Sequence, residues 1–337
     1  MATAEEYPYI YKGIRPMGMG GAFVAVSNDG NALFYNPAGL TDVQERKVTL
    51  LPLEVQVSEG GIDAYRDAAD VDWENMQEVA SFLRDYIGEP NHASVTIFPY
   101  MEKPNLAFGF FGTVKANFMA RDYQYPKLKV NSVADAGVAL GYAHAVNDEL
   151  SIGANGKFVM RKSLNRTYTL PEITSGDFDD RLEDDAEDGS GVLIDLGALY
   201  RFGEISVSNS RLRPQVGMTV SNLLGSDMGD AEDLPVHVDL GFALRSDAVT
   251  IAFDYVDLLE NFDQDSDIPK RIRVGAEYVY NQKFAFRAGF YQGYPTFGFG
   301  LIGNKIQLDL LSYAEEVGTY SGQRDDRRYA FRFALGF

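Results

Sequence analysis

Along its C-terminal half the chain alternates apolar residues with polar or small ones, segment after segment. In the last segment Tyr329, Phe331, Phe333, Leu335 and Phe337 fall on one face, and Ala330, Arg332, Ala334 and Gly336 on the other. Period two marks a β-strand. The same alternation sets Leu240, Phe242 and Leu244 against Asp239, Gly241 and Arg245, and Val274, Ala276 and Tyr278 against Arg273, Gly275 and Glu277. Extended along the chain, it predicts strands near 46–57, 93–101, 105–119, 130–146, 150–169, 191–203, 214–223, 235–246, 248–258, 270–281, 283–292, 294–303, 305–314 and 327–337. A β-sandwich would also alternate, with its apolar faces turned inward. The connections separate the two. Those after even-numbered strands are mostly tight, as at Glu102-Lys103-Pro104 and Asn147-Asp148-Glu149, with 204–213 the exception, whereas those after odd-numbered strands are mostly long. A sandwich has no reason to sort its loops by parity; a transmembrane barrel, with short turns on one side and long loops on the other, does. The expected fold is therefore an all-β, antiparallel transmembrane barrel of about fourteen strands.

In a bilayer, an Arg facing lipid near the midplane costs roughly 2–4 kcal/mol. Arg201, Arg245, Arg273, Arg287 and Arg332 are therefore expected to face the lumen, and the aromatic faces the lipid. Residues 62–88 read as a helical outer loop, with Val71, Met76, Val79, Phe82, Leu83 and Ile87 on one face. The acidic run from Asp177 to Asp188 reads as a solvated, mobile tip, because like charges repel. The sharper alternative is bridging to lipopolysaccharide through divalent cations.

Composition narrows the function classes. The 337 residues carry 30 Lys and Arg against 49 Asp and Glu, a net charge of −19, which excludes a phosphate-binding role in nucleic-acid recognition. Cysteine is absent, so no disulfide framework or thiolate site exists. No apolar run of about 18 residues is present, which excludes an ordinary membrane helix, and the start Met1-Ala2-Thr3-Ala4 lacks a secretory signal; the chain is expected to be a mature form with an added Met. Gly18-Met19-Gly20-Gly21 does not complete a dinucleotide loop, since Phe23 stands where the third Gly belongs. Asp263, Asp265 and Asp267 alternate like a calcium loop, but Ile268-Pro269 replaces the required Gly turn. His92, His144 and His237 lack metal-ligand spacing. No enzyme activity, cofactor or metal is expected.

Before the first strand lies a Gly-rich stretch, Gly18-Met19-Gly20-Gly21-Ala22-Phe23-Val24-Ala25, followed by Asn36-Pro37-Ala38-Gly39. Glycines permit close backbone approach, and Asn-Pro sets a turn. Over residues 13–40 the chain resembles the FadL-like outer-membrane transport superfamily, including its shorter PorV-type relatives. The resemblance implies a plug, or hatch, in residues 1–45, with Gly18, Gly20, Gly21, Asn36, Pro37, Ala38 and Gly39 as its motif, and a barrel in 46–337 in the bacterial outer membrane. It implies that Phe337 is the signal read by the barrel-insertion machinery, and that lipid and lipopolysaccharide surround the wall. For the transporter branch it implies passive uptake of hydrophobic molecules such as long-chain fatty acids or hydrocarbons: loop capture, hatch rearrangement and lateral exit. The PorV-type alternative is a barrel that binds or shuttles a secreted protein. Strand parity nominates Lys157, Arg161 and Arg201 as lumen cations for a ligand carboxylate; the alternative is pairing with lumen acids such as Asp135, Asp195 and Asp239. Gly109 and Gly112 could kink the third strand. A lumen full of charge with no apolar cavity would count against the transporter reading.

Overall fold

Period-two segments and tight turns close into a ring. In the computed structural model, which describes residues 6–207, 210–224, 227–262, 267–303 and 305–336, the strands are β1 (Lys47–Ser58), β2 (Pro90–Ile97), β3 (Tyr100–Lys103), β4 (Leu106–Arg121), β5 (Lys127–Ala145), β6 (Leu150–Thr169), β7 (Glu187–Arg201), β8 (Ile205–Val207), β9 (Ser210–Ser221), β10 (His237–Arg245), β11 (Val249–Tyr255), β12 (Ile272–Tyr280), β13 (Phe284–Tyr291), β14 (Tyr294–Ile302), β15 (Ile306–Glu316) and β16 (Asp325–Gly336). Each neighbour pairs antiparallel, and β16 pairs β1, so the wall closes at fourteen strands. Of the two extra segments, β3 continues β2 after a break, and β8 pairs only β9, forming a hairpin in the long link singled out above. Phe337, Asp263 and Asp265 lie outside the described residues.

The alternation sorts as membrane energetics require. Phe290 and Phe297 are 57% and 60% exposed, while Arg273 and Arg287 are 4% and 6% exposed. Arg201 and Arg245 also turn inward, and both reach Asp42 in the N-terminal segment. A globule with apolar residues inside would show the reverse. No helix among the described residues is long and apolar enough to cross a membrane.

The wall is regular except at one seam. Between Leu50 and Leu53 the register of β1 shifts, with Leu51 at a positive φ of 48°. Facing that bulge, β2 stops at Ile97 and resumes at Tyr100. Pro52 and Pro99 sit in these two interruptions, where each withholds a ladder donor. The strand containing Gly109 and Gly112, by contrast, runs unbroken, so the irregularity lies one and two strands away from those glycines.

Above the wall the helical loop is two helices, α1 (Glu59–Ala68) and α2 (Met76–Asp85), where one was expected. The Asn75 side chain accepts from the amides of Gln77 and Glu78, starting a second helix rather than extending the first. Val79 and Leu83 of α2 pack on Ala120, Val130, Leu164 and Tyr168, the outward side of the tops of β4–β6. The acidic run is not a bare tip. Residues Phe178–Asp184 form a helix, and Phe178, Leu182 and Ala186 join the same cluster. Three apolar side chains spaced through the charges are enough to seat it.

Candidate functional site

Residues 6–46 fill the barrel, and glycines on the wall make room for them. Gly153 of β6 faces Gly197 of β7 across the ladder, Gly217 of β9 faces Gly241 of β10, and Gly275 of β12 faces Gly289 of β13. A Cβ at Gly275 would stand 2.0 Å from the Met19 carbonyl oxygen, and one at Gly153 would stand 2.5 Å from the Pro37 carbonyl carbon. The wall thus carries an inward track on which the plug backbone lies directly. On the plug side, Gly20 and Gly21 adopt φ of 63° and 76°, a turn that L side chains resist. A Cβ at Gly39 would meet the Ser27 carbonyl at 1.6 Å, which no residue but Gly avoids.

Side chains then fasten what the track accommodates. Asn36 Oδ1 accepts from the Ala38 amide at 3.0 Å and starts the 3-10 turn Pro37–Asp42, while its Nδ2 donates to Val24 and Ala198 carbonyls at 2.9 and 3.2 Å. One side chain therefore shapes the turn and ties it to β7. Asp254 of β11, fully buried, accepts from the Phe23 and Val24 amides at 2.6 and 2.8 Å. Asn155 of β6 donates to the Ala32 and Leu33 carbonyls. Asp42, at the lower end of the plug, accepts from both Arg201 and Arg245 at 2.7 Å.

The filled lumen has two unlike sides. Along β2–β7, Tyr11, Leu33 and Leu40 of the plug pack with Phe98, Phe111 and Leu193 in one apolar cluster, against which Phe34 rests. The β9–β10 loop dives into the same cluster: Met228 and Leu234 are fully buried, and the Glu232 amide bonds Ser163 Oγ at 2.8 Å. Along β12–β16 and β1 the contents are ionic. Asp29 pairs Arg15 at 2.7 Å, Arg15 pairs Glu277 at 2.7 Å, and Glu277 takes Arg287 at 2.7 Å. Arg287 continues to Asp309 at 2.8 Å, Asp309 to Arg332 at 3.2 Å, and Arg332 to Glu54 at 3.3 Å, which accepts from Tyr11 at 2.8 Å. The ladder starts and ends on the plug. Buried pairs of this kind add little net stability but fix geometry, because any other placement strands a charge. Beside it lies a polar cavity of about 220 Å³ lined by Arg15, Lys47, Glu54 and Arg332 among others.

The nominated cations are all committed. Lys157 holds Asp195 at 2.6 Å; Arg161 donates from Nε and Nη2 to the two oxygens of Asp135, at 2.7 and 2.8 Å; Arg201 holds Asp42, Ser151 and Thr41. They do not converge on one another through any shared partner. The residues that fasten the plug, Asp254, Asn155, Asp42 and Glu277, were not singled out from sequence. Parity marks three of them as inward-facing, but only the fold shows which plug atoms they meet. The histidines stay apart: His92 bonds Asn117 at 2.7 Å and His237 lies 3.7 Å from Asp239. No group of three His, Asp or Glu in metal-holding geometry occurs among the described residues.

No protein-family model matches the chain, and no curated protein matches it in sequence. Solved structures do match. The Ralstonia pickettii toluene transporter TbuX aligns over 98% of both chains with a TM-score of 0.57 at 14% identity. The Pseudomonas putida toluene transporter TodX aligns over 98% of both chains with a TM-score of 0.53 at 13% identity. The likeness covers the whole length of the chain and shows that its closed barrel of fourteen antiparallel strands has the fold of these two toluene transporters.

Proposed function

We propose that this barrel admits hydrophobic small molecules, aromatic hydrocarbons in the first place, through the outer membrane without opening a water-filled pore. The observation that carries the reading is the apolar side of the lumen. Tyr11, Phe34, Phe98, Phe111, Met228 and Leu234 form a continuous greasy strip from the inward β9–β10 loop to the wall, and Phe98 belongs to the interruption opposite Pro52. A molecule captured at the loops would displace Met228 and Leu234, slide along the plug and leave sideways where the ladder lacks two donors. The full-length likeness to two toluene transporters supports this choice of cargo. Neutral cargo also suits lumen cations that already hold carboxylates. Met228 and Leu234 are fully buried in this strip, so cargo passes with their displacement.

The test is hydrocarbon uptake. Proteoliposomes carrying the barrel should take up labelled toluene faster than empty ones. Leu53 and Ile97 are register partners across β1 and β2; with Leu53→Cys and Ile97→Cys oxidised to a bridge, uptake should drop, and reductant should restore it. Uptake indifferent to the bridge would remove the seam from the route, and absence of uptake in the unbridged protein would remove the function. A second reading, a barrel that binds a secreted protein, is supported by the many ties that hold the plug shut. Recovery of a defined secreted partner, with no hydrocarbon uptake, would favour it.

A further inference from the structure

On the apolar side of the lumen, Met228 stands apart in what lies beneath it. Below the outer rim, the inward positions of β7 run Gly189, Gly191 and Leu193, and Leu193 is fully buried in the cluster that also holds Leu33 of the plug. The two glycines make a floor without side chains. A Cβ at Gly189 would stand 1.5 Å from the Met228 carbonyl oxygen, and one at Gly191 would stand 2.9 Å from the Met228 Sδ. The Met228 backbone therefore rests on β7 at Gly189, and its thioether lies over Gly191. Met228 itself is fully buried.

The loop that carries Met228 is pinned to the wall. The Asn222 amide donates to the Asp195 carboxylate at 3.0 Å, and the Asn222 Nδ2 donates to the Pro235 carbonyl at 3.2 Å, which ties the two ends of the loop together. The Leu223 amide donates to the Ile194 carbonyl at 2.8 Å. Further along, the Glu232 amide donates to Ser163 Oγ at 2.8 Å, and the Glu232 carbonyl accepts from Arg161 at 3.0 Å. Lifting the loop off β6 and β7 would break these bonds together, and each buried polar group left unpaired costs roughly 1–3 kcal/mol. Turning one side chain costs far less. Met is unbranched and adapts to irregular gaps, whereas Leu234, also fully buried, is branched and adjoins Pro235, a fixed point of the loop.

We propose that Met228 is a side-chain gate that sets the size of cargo admitted. An aromatic ring enters by turning the Met228 thioether aside and takes its place over the bare backbone of Gly191, while the loop stays seated. The inference rests on the transport reading and names the residue that sets its specificity. The floor cannot retreat and the loop is tied, so the room gained is about that of one Met side chain. A ring carrying extra methyl groups, such as mesitylene, meets a resistance that toluene does not. In a hydrophobic pocket a single methylene discriminates by roughly tenfold or more.

Proteoliposomes are given toluene or mesitylene, and uptake above that of empty liposomes is compared. The unaltered barrel should favour toluene by about tenfold or more. Met228→Ala should bring the two rates close together, and Met228→Leu, which conserves volume, should keep most of the preference. Gly156→Ala, with nothing within 4 Å of its Cβ, is the control that should change neither rate. Heat-modifiable gel mobility identifies variants that still form the barrel. Equal uptake of the two by the unaltered protein, or a preference that Met228→Ala leaves intact, would overturn the gate. Toluene should also leave hydrogen exchange in a peptide covering 227–234 unchanged; faster exchange would show that the whole loop lifts, and would overturn the single-side-chain gate. Absence of toluene uptake by the unaltered protein defeats the transport reading. The gate is then judged from the methyl NMR resonance of Met228 in methyl-labelled protein, which toluene should shift while that of Met19, fully buried in the plug, stays in place. A Met228 resonance that toluene does not move overturns the gate whatever the uptake.

Discussion

Asp254 offers the sharpest handle on how the plug is held. Its carboxylate is fully buried, and one oxygen accepts from two consecutive plug amides, Phe23 and Val24, at 2.6 and 2.8 Å. Replacing Asp254 with Ala removes both acceptor bonds and leaves two buried amides without partners. Leaving a buried donor unsatisfied costs roughly 1–3 kcal/mol, so for two amides the local loss is about 3 kcal/mol. At about 1.4 kcal/mol per decade, the plug segment should open locally on the order of a hundredfold more often. Asp254→Asn keeps one acceptor oxygen and brings an amide that must find its own partner in a buried site, so it should fall between. Hydrogen exchange read by mass spectrometry on a peptide covering Met19–Val26 measures the opening, with wall peptides from β4–β6 as the internal control. The expected outcome is faster exchange in the plug peptide with the wall unchanged. Unchanged exchange in the plug peptide of a correctly inserted Ala variant would refute the anchoring role.

Other perturbations bear on the same assembly. Gly275→Leu should displace the plug near Met19, because its Cβ would lie 2.0 Å from a carbonyl oxygen, whereas Gly112→Leu, with nothing within 4 Å of its Cβ, should not; overpacking of this kind costs about 1–3 kcal/mol, and protease sensitivity of the plug distinguishes the two. Asp42→Ala leaves Arg201 and Arg245 without their shared carboxylate; since all three are partly solvated, the loss should be small, about 1 kcal/mol, and confined to faster proteolysis at the plug–wall junction near Val43. Glu6 fastens the upper end of the plug to Lys12 and Arg328. Burial alone would raise its pKa, but the charges of Arg328 and Lys12 outweigh burial and hold it well below its ordinary 4.5. A depressed carboxylate stabilises the folded form fully above its ordinary value and loses that contribution as pH falls through the folded value. Upper-plug exchange should therefore stay slow from neutral pH to about 4.5 and rise only below it.

Strand positions were legible because each wall residue answers to two solvents. Lipid on one side selects Phe, Tyr and Leu, and the lumen on the other tolerates Arg287 and Asp309, so period two is written into every strand. The break at Phe98–Pro99 was passed over as continuous strand, although Pro99 was its signal. The acidic run was read as a mobile tip from its charge, which hid the three apolar residues that seat it. The Gly-rich and Asn-Pro stretch was picked out from sequence, and its residues Gly20, Gly39 and Asn36 make close contacts and hydrogen bonds with other backbone segments. Its fastenings were not legible, because partners such as Phe23 and Asp254 are 231 residues apart in sequence. Periodicity says which way a side chain faces, not what it meets. The wall glycines, unremarkable singly, become a track only when register sets Gly217 beside Gly241 and Gly275 beside Gly289.

At the centre stands a barrel whose lumen holds its own N-terminal segment, fastened to the wall at Asp254, Asn155 and Asp42. Planar-bilayer recording of the purified protein measures that property directly. A plugged barrel should insert and give no steady open current, with only brief events, and Gly275→Leu should convert some of these to sustained openings. A large, steady ohmic conductance from the unaltered protein would show that the lumen is a water-filled channel and contradict the arrangement described above.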